Sequence, residues 1–580
     1  MAKSKAKKTK DKKLPQAKGR GQRKDTYLKA ADDTLYFIPL GGSEQFGVNL
    51  NVYLHKGQML LIDCGIGFAD DFYPGIDLLL PDPAFVESNI KHLQGIIITH
   101  AHEDHIGAVP YLWQRIKAPI YCSAFTGEVL RKKFEENGHK DYEIITIEPG
   151  KTEKIGAFSI EPITVSHSVP DAVAIYIEAG DQRVLHSGDW NLDPSPVLGE
   201  KTDKKAFEIL SKKGVHAYVG DSTNAIVDGS SGSEAQVAKG LQVEFEQCRG
   251  RIVVTIFSSN IGRILSIARA AKACGREVAV IGRSLHRMIG AAKHCGYLDE
   301  LDNFVGEEEI AFVPRDRLVV IATGSQGEYR AALAKIARGD HRLLKLDAKD
   351  TVIFSSRAIP GNEKRVSDVK NNLSGAGVNI ICAGDTPNVI HVSGHPCREE
   401  ISEMLSWVKP KCVIPVHGER VQLEAQSELA TQCQIAQTLV PSNGSVIRIT
   451  PNGSEIIDHV ATGVLAVDQR RIIPADHQSI VARRKLQYSG ALHVSIALDD
   501  EGELLGKPKL DEIGLNGEDE YGTEFKAQLI EELYSILEDM HWEDREDDHA
   551  VQEELRIGLR RFVYHELGFK PSTTIHVLRV

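Results

Sequence analysis

A histidine- and acid-rich segment directly after an apolar run is the feature that most restricts how this chain can fold. The segment from Gly95 to Leu112 reads GIIITHAHEDHIGAVPYL and brings three imidazoles and two carboxylates into the six positions from His100 to His105. Crowding so many polar groups behind a buried strand has no packing advantage. A loop at the end of a strand can aim several side chains at one point, which favours a metal site.

The ligand types in this loop indicate which cations it suits. His100, His102, Asp104 and His105 offer imidazole nitrogens and a carboxylate without a thiolate. Such a set suits Zn²⁺ or Mn²⁺. Because one ion rarely takes four ligands from a single loop, the pattern indicates two ions.

Similar polar residues follow other short apolar runs of the chain. Any one of these histidines alone is more readily interpreted as a core residue. Their shared position after a strand predicts that they converge at one edge of a β-sandwich. The candidates are His167, His186, Asp189, Asp221, His391, His395 and His417.

Composition excludes several classes of protein. With 42% hydrophobic and 26% charged residues, the 580-residue chain has the composition of globular proteins. No apolar run approaches the ~18 residues of a membrane span, and the basic start lacks the apolar region of a secretory signal. Nine cysteines without a CxxC pair indicate neither a disulfide framework nor a cysteine zinc site. We therefore expect a cytoplasmic protein without membrane contact.

Charge is unevenly distributed along the chain. The net charge of −12 argues against a basic nucleic-acid binder as a whole. Residues 1–26 contain a Lys-rich tail that we expect to be disordered. The tail has two open interpretations, solubility or weak, salt-sensitive contact with phosphates.

The pattern of apolar and polar residues changes twice along the sequence and predicts an inserted domain. Alternating apolar and polar residues between Thr34 and Asp63 predict an antiparallel sheet. From about Ser222 to Gly375, strands alternate with helix-length segments, which is typical of a parallel α/β unit. Short strands return after Val378. We expect a disordered tail at 1–26, a sandwich domain at 27–222 and 377–449, an insertion at 223–376, a polar linker at 450–487 and an α+β C-terminal domain at 488–580.

A series of motifs in a fixed order resembles the β-CASP nucleases of the metallo-β-lactamase superfamily, and among them the ribonuclease J family. HxHxDH alone marks only the superfamily, but HVSGH and PVHGE behind an insertion are more specific. The resemblance implies an α/β fold, a metallo-β-lactamase αββα sandwich with an inserted parallel α/β β-CASP domain and a small α+β C-terminal domain. The motifs, from Leu61 to Glu419, are LIDCG, THAHEDHIG, SHSVPD, SGDW, GDSTN, ATGSQGE, IPGNEK, HVSGH and PVHGE.

The resemblance also implies a centre for two divalent metal ions per chain, for which we expect Zn²⁺, with Mn²⁺ or Mg²⁺ as alternatives. Asp63 and Asp221 match carboxylates that orient the metal ligands. The implied ligands are His100, His102 and His167 for one ion, Asp104, His105 and His417 for the other, and Asp189 as the bridge. Asp468 aligns loosely with an auxiliary cation site of some relatives.

Two further sets of residues are implied to handle the substrate. Asp104 and His395 are the catalytic candidates, His395 as the proton donor to the leaving 3′ oxygen. The HVSGH loop, which comprises His391, Val392, Ser393, Gly394 and His395, matches the loop that holds the scissile phosphate. Small residues in turns of the insertion can receive a 5′ phosphate, although ordinary helix caps are the alternative. These residues are Ser258, Ser259, Gly324, Ser325 and Ser355.

The resemblance thus implies a 5′→3′ exoribonuclease with some endonuclease activity, acting on 5′-monophosphate RNA in RNA maturation and decay, including rRNA processing. A homodimer or homotetramer is expected through the C-terminal domain. Ala101, Ala108 and Tyr329 depart from the family pattern without removing a ligand. The alternatives are a thioester or lactone hydrolase, a DNA-processing nuclease and an RNA-bound scaffold with a vestigial site.

Overall fold

Two facing β-sheets form the largest part of the molecule. The computed structural model describes residues 33–515 and 525–580, so the predicted tail at 1–26 lies outside the described residues. Apolar side chains of both sheets, such as Phe37, Ile62, Ile175 and Val219, are fully buried between them. This shared core holds the two sheets face to face.

The first sheet has eight strands and contains the predicted antiparallel opening. Consecutive strands Leu35–Gly41, Leu50–His55 and Gln58–Cys64 pair antiparallel, which confirms that prediction. Strand Leu93–Ile97 then pairs parallel to Gln58–Cys64, so both strands end at the same edge. The spatial order is Gly453–His459, Ser445–Thr450, Leu35–Gly41, Leu50–His55, Gln58–Cys64, Leu93–Ile97, Ile120–Cys122 and Ile144–Thr146.

The second sheet has seven strands, and four of them run parallel. Strands Gln182–His186, Ala217–Asp221 and Cys412–Val416 are parallel neighbours. Their carboxyl ends therefore meet at one edge, where Asp189, Asp221 and His417 follow or end the strands. The spatial order is Gln437–Thr438, Cys412–Val416, Ala217–Asp221, Gln182–His186, Val173–Ala179, Phe158–Thr164 and Glu153–Ile155.

Helices cover the outer faces of both sheets and complete the αββα sandwich that the sequence predicts. Val109–Ile116 and Ala124–Glu136 pack on the first sheet. Three helices pack on the second sheet, namely Lys204–Lys213, Arg398–Val408 and Arg420–Gln432. The short helices of this domain are Ala84–Ser88, Ile90–His92 and Glu103–Ile106.

The inserted domain contains a five-stranded sheet in which all neighbours are parallel. Its strand order is Glu277–Ile281, Leu318–Ala322, Ile252–Thr255, Thr351–Phe354 and Asn379–Cys382. The last strand was expected in the sandwich, but it pairs with Thr351–Phe354. The inserted domain therefore extends beyond the predicted boundary at residue 376. The helices are Glu234–Gln247, Ile261–Ala273, Arg283–His294, Glu307–Phe312, Arg315–Arg317, Ala332–Ala337 and Glu363–Gly375.

The segment expected as a polar linker is largely paired. Strand Gly453–His459 extends the first sheet, because its backbone continues the hairpin begun by Ser445–Thr450. A four-stranded sheet follows, in the order Arg471–Pro474, Val464–Asp468, Leu78–Pro81 and Gly67–Phe68. These strands are short, at four to seven residues, and polar segments between them led to the expectation of a linker.

The C-terminal domain packs helices on a three-stranded sheet. Strand Ala491–Leu498 lies between Lys509–Ile513, which the sequence did not predict, and the predicted last strand Ser572–Arg579. The helices are Gln478–Ser489, Phe525–Asp539, Trp542–Arg545 and Asp548–Leu567. Within residues 33–515 and 525–580, no helix combines the length and apolar character needed to cross a bilayer.

Candidate metal centre

The histidine-rich loop is fixed by close contacts of its main chain. It begins after strand Leu93–Ile97 and ends in the short helix Glu103–Ile106. A Cβ atom on Gly65 would lie 1.5 Å from the Asp104 carbonyl oxygen, so only glycine fits there. The side-chain amide of Asn49 donates to the same oxygen at 2.9 Å. The loop is therefore held before any ligand binds.

One group of potential ligands lies around His102. The Nδ1 atom of His102 is 3.1 Å from His100 Nε2 and 3.0 Å from His167 Nε2. Asp189 Oδ2 lies 3.6 Å from His100 Nε2. These four side chains offer ligand atoms that all lie within 4.8 Å of one another.

A second group lies on the other side of Asp189. The Oδ2 atom of Asp189 is 3.2 Å from both His105 Nε2 and His417 Nε2. Asp104 Oδ2 lies 3.6 Å from His105 Nε2 and 3.5 Å from His417 Nε2. Asp189 thus belongs to both groups, and all seven predicted ligands come together around it. Asp189 and His417 also form a third group of the same spacing with Asp221 and His395.

The two groups fit divalent metal ions. Nitrogens on a tetrahedral Zn²⁺ lie roughly 3.3 Å apart, given Zn–N distances of about 2.0–2.1 Å. The ring nitrogens near His102 are spaced at 3.0–3.1 Å. Several ring nitrogens facing one another cannot all be satisfied by hydrogen bonds between neutral imidazoles, since each neutral ring has only one N–H. A cation at the centre of each group resolves this conflict.

Burial and neighbouring charges set the protonation of these groups. Burial lowers the pKa of His100, His102 and His167, so these rings are neutral and able to coordinate. Burial also opposes ionisation of Asp189, but the imidazoles of His105 and His417 outweigh it and hold its pKa well below the usual value. The shared carboxylate is therefore an anion, and in the absence of a metal ion its charge outweighs burial and raises the pKa of His105 and His417.

Asp63 supports the ligand loop from behind. Its Oδ1 atom accepts from the Thr99 backbone N–H at 2.8 Å, and its Oδ2 atom lies 2.7 Å from His105 Nδ1. This contact directs the lone pair of His105 Nε2 toward Asp189. Asp63 thus holds both the start of the loop at Thr99 and the ring of His105.

Gly394 of the HVSGH loop touches a predicted ligand. Its carbonyl oxygen lies 2.7 Å from His167 Nδ1, which leaves His167 Nε2 facing the ligand group. A Cβ atom on Gly394 would lie 2.8 Å from both His167 Cε1 and Ser168 Oγ. Only glycine therefore permits this approach, and the loop is tied directly to the metal centre.

His395 is paired with Asp221. His395 Nδ1 lies 2.8 Å from Asp221 Oδ2, and the Thr223 hydroxyl donates to Asp221 Oδ1 at 2.7 Å. Burial opposes protonation of His395, but Asp221 and Asp189 outweigh it and raise its pKa to about 9. Asp221, which was expected to orient metal ligands, is thus hydrogen-bonded to the candidate proton donor. Asn224, inside the GDSTN motif, donates to Ser393 Oγ at 2.8 Å.

The residues of the HVSGH loop do not follow a strand as predicted. Residues 388–395 are irregular and form no strand. Asn191 donates to the Ser393 carbonyl at 3.3 Å. At the start of the loop, His391 Nδ1 lies 3.4 Å from Arg263 Nη1. The buried Arg263, which the sequence analysis missed, pairs with Glu234 at 2.6 Å.

The predicted phosphate turns lie at the carboxyl edge of the parallel sheet. Ser355 is buried, and its hydroxyl donates to the Ile390 carbonyl at 2.6 Å. Its neighbour Ser356 is also buried, and its Oγ atom has no hydrogen-bond partner within the described part of the chain. Ser355 was expected to receive a phosphate, but in the described residues the buried hydroxyl without a partner is that of Ser356. The other predicted residues of these turns are half-buried at Ser258 and Ser259 and buried at Gly324 and Ser325.

Three residues with ligand-type side chains have other roles. His186 lies in the core, with Nδ1 3.1 Å from the Tyr53 hydroxyl. Glu103, within the histidine-rich loop, pairs with Lys133 at 2.7 Å and so belongs to neither ligand group. The Asp468 carboxylate pairs with both terminal nitrogens of Arg483, at 3.0 and 2.6 Å, which argues against the expected auxiliary cation site.

Comparisons with known proteins cover nearly the whole chain. Family models match in four places: the beta-lactamase superfamily domain at 58–210, the ribonuclease J beta-CASP domain at 249–373, the Zn-dependent metallo-hydrolase RNA specificity domain at 386–438 and the ribonuclease J C-terminal domain at 479–580. A crystal structure of a protein of unknown function from Enterococcus faecalis V583 matches with a TM-score of 0.51 at 15% identity, over 72% of this chain and 100% of that one. That likeness supports the fold alone.

Relatives that match most of the chain identify the family to which it belongs. Ribonuclease J of Sinorhizobium meliloti is 40% identical over 95% of this chain and 98% of its own length. Ribonuclease J of Synechocystis is 33% identical over 93% of this chain and 86% of its own, and that of Mycolicibacterium smegmatis is 34% identical over 86% and 90%. With the metal-ligand geometry and all four domain matches, these relatives establish that the chain belongs to the ribonuclease J family.

Proposed function

We propose that this metal-dependent ribonuclease degrades RNA from the 5′ end, prefers a 5′ monophosphate and also cleaves internally. The single observation that carries the proposal is the convergence of the predicted ligands on Asp189, in a sandwich that carries an inserted domain. The cellular role that follows is RNA maturation and decay in the cytoplasm.

Metal ions bound at this centre would supply the nucleophile. Two divalent ions, Zn²⁺ in the first instance, would be held by the two ligand groups and would provide an activated water and positive charge for phosphoester hydrolysis. The protein's own residues position that chemistry. Asp189 fixes the spacing of the two groups, and Asp104 borders the side from which water arrives, since its side chain is 32% exposed.

His395 is the proposed proton donor. A ribose 3′ oxygen is a poor leaving group unless it receives a proton. His395 is held by Asp221 and sits 3.8 Å from Asp189, beside the metal centre. Ser393 and the backbone of the HVSGH loop would orient the scissile phosphate, because Asn224 and Asn191 fix that loop.

The turns of the inserted domain would bind the 5′ end. Ser356 has a buried hydroxyl without a partner in the described residues, and Ser258 and Ser259 precede helix Ile261–Ala273. A helix start with small residues favours an anion. A site that holds one phosphate would disfavour a triphosphate and gain no charge contact from a hydroxyl.

Matched substrates test this function. RNAs of one sequence with a 5′ monophosphate, triphosphate or hydroxyl are compared with DNA of that sequence and with a small thioester. We expect mononucleotide release to be fastest from monophosphate RNA. Equal rates on all three RNA ends would remove the 5′ site from the proposal, and faster cleavage of DNA or thioester would reject the ribonuclease.

We also propose that the protein is a homodimer or homotetramer that assembles through its C-terminal domain. Apolar residues at the edges of its three-stranded sheet are exposed, including Ile513 at 62%, Leu578 at 59% and Val580 at 80%. An uncovered strand edge with apolar side chains favours pairing with a second copy. Light scattering of the full chain and of a Leu578→Lys variant tests this; a wild-type monomer at assay concentration would contradict it.

A further inference from the structure

One segment of the inserted domain lies against the sandwich beside the metal centre. It comprises helix Arg283–His294 and the turn after it, which contains Tyr297. The helix packs against helix Ala124–Glu136 of the sandwich. Two polar side chains of this segment, those of Arg287 and Tyr297, contact loops that carry predicted metal ligands. We call the histidine-rich loop and the loop that carries His167 the ligand loops.

Arg287 contacts the first ligand loop. Its Nη2 atom lies 3.3 Å from Glu103 Oε1, and its Nη1 atom lies 2.9 Å from Glu136 Oε2. Glu103 stands between His102 and Asp104, which belong to different ligand groups. Because the main chain joins Glu103 to both neighbours, a movement of its carboxylate is transmitted to both groups.

The Glu103 carboxylate is held from both domains. Lys133 of the sandwich donates to both of its oxygens at 2.7 Å. Two cations therefore face two carboxylates, Glu103 and Glu136, and the charges of this cluster balance. The Lys133 side chain is only 10% exposed and that of Arg287 20%. Partly buried pairs are screened less than exposed ones, so this contact is suited to fix the loop.

Tyr297 contacts the second ligand loop. Its hydroxyl donates to Asp171 Oδ1, four positions after His167. The backbone N–H of Val165 donates to the Ala172 carbonyl at 3.2 Å, which closes the residues between them into a loop. Asp171 has a φ of 57°, in the sparsely populated left-handed region. The Tyr297 hydroxyl thus holds a residue of unusual conformation in the same closed loop as the ligand.

The two domains also meet away from the metal centre. Arg365 of the inserted domain lies 3.2 Å from Asp71, and these side chains are 40% and 93% exposed. Asp71 lies between strands Gly67–Phe68 and Leu78–Pro81, outside both ligand loops. An exposed pair of this kind contributes little. It provides a matched comparison, because it joins the same two domains without touching a ligand loop.

We propose that Arg287 and Tyr297 are positioning residues through which the inserted domain holds both ligand loops, so that the seating of this domain sets how tightly the metal centre retains its ions. The inference rests on the proposed function, since it concerns the same metal centre. Groups that orient metal ligands from outside typically change metal affinity by about 10–100-fold when they are removed. The inserted domain would then act on the metal centre as well as on the substrate.

Metal release tests the proposal without RNA. The chain is loaded with Zn²⁺, freed of excess metal and mixed with a chromophoric chelator, and the absorbance reports the release of each ion. Arg287→Gln should release both ions about tenfold faster, because Glu103 adjoins both ligand groups. Tyr297→Phe should speed the release of one ion, since His167 belongs to a single group. Arg287→Lys, which retains the positive charge, should stay closer to the wild type than Arg287→Gln.

Arg365→Gln is the matched control. It breaks a contact between the same two domains and should release both ions at the wild-type rate. Circular dichroism checks that every variant is folded like the wild type. Equal acceleration in Arg365→Gln would show that any loosening of the domain contact suffices and would overturn the proposal. Release at the wild-type rate from both Arg287→Gln and Tyr297→Phe would overturn it as well.

Linkage provides a second measurement. If the inserted domain tightens metal binding, bound metal must tighten the domain contact by the same factor. Hydrogen exchange of helix Arg283–His294 should therefore slow when Zn²⁺ is added to the wild type. The change should be smaller in a variant that combines Arg287→Gln with Tyr297→Phe. The same response in both proteins would reject the positioning roles.

The release rates also separate this proposal from the proposed function. A wild-type chain that holds Zn²⁺ but shows no preference among RNA ends would reject the proposed 5′ site, while the release rates would still decide the roles of Arg287 and Tyr297. A wild-type chain that holds no Zn²⁺ would reject both proposals.

Discussion

The metal centre and the phosphate turns both lie at the carboxyl edges of strands, but they are built differently. In the metal centre, buried ring nitrogens and carboxylates face one another at 3.0–3.6 Å and require a cation to satisfy them. In the turns, Ser355 is already bonded to the Ile390 carbonyl, and the buried hydroxyl of the neighbouring Ser356 has no hydrogen-bond partner among the described residues. The side chains of the metal centre are placed to hold a cation, whereas the phosphate turns are held mainly by hydrogen bonds between their own loops. Removing a group should therefore have very different effects in the two regions.

The largest effect is expected from the metal centre. His102→Ala removes a ligand, and Asp189→Ala removes the carboxylate that both groups share. Each should abolish RNA cleavage, because neither group then has its full set of ligands. Gel-based cleavage assays in metal-supplemented buffer measure this.

The same variants should still bind RNA, since the proposed phosphate contacts lie on other loops. Anisotropy with labelled RNA provides this control. Full cleavage activity in metal-replete Asp189→Ala would show that the metal centre does not depend on this carboxylate. The expected difference between the metal centre and the phosphate turns would then be lost.

A smaller effect is expected at His395, which is proposed to donate a proton and lies in the loop proposed to bind the substrate. His395→Ala should lower the cleavage rate by about 10²–10⁴-fold, as expected for the loss of a general acid, and leave metal content near that of the wild type. His417→Ala should lose metal, because His417 lies 3.2 Å from Asp189. Metal analysis of both purified variants decides the assignment. Loss of metal in His395→Ala and retention of both ions in His417→Ala would exchange the two roles.

A still smaller effect is expected in the phosphate turns. Ser356→Ala removes the one buried hydroxyl of this turn without a partner in the described residues, which we assign to the 5′ phosphate. The preference for monophosphate over hydroxyl ends should fall about tenfold, the effect of one hydrogen bond to a charged group. Rates on 5′-hydroxyl RNA serve as the internal control. An unchanged preference would place the 5′ phosphate elsewhere.

The smallest effect is expected outside both regions. Asp468→Asn breaks the pair with Arg483, a partly exposed contact of the kind that contributes little. Cleavage rate and metal content should stay within a factor of about two of the wild type. A clear loss of bound metal would restore the auxiliary cation site.

The sequence predicted the parts of the site that depend on side-chain chemistry. The ligand types around His100 to His105 already indicated two ions, and the family motifs supplied the distant His167, Asp189 and His417. Strand ends could be predicted from the apolar runs, since Cys412–Val416 is fully apolar and Leu93–Ile97 ends in two isoleucines. The same reading failed at His391, where an apolar run lies in an irregular loop.

Features that depend on close packing were beyond the sequence. The need for glycine at position 394 follows from its approach to His167, and nothing in HVSGH alone reveals that neighbour. Arg263 looked like an ordinary helix residue until the fold placed it between Glu234 and Ser355. Strand Asn379–Cys382 was assigned to the wrong sheet because its apolar pattern does not specify a partner.

Metal stoichiometry tests the central claim most directly. The wild-type chain and the Asp189→Ala variant are reconstituted with Zn²⁺, freed of excess metal and analysed by mass spectrometry of the metal. Because both ligand groups share Asp189, we expect two ions per wild-type chain and a loss of bound metal from the variant. A single ion per wild-type chain, or two tightly held ions in Asp189→Ala, would contradict a binuclear centre built around this carboxylate.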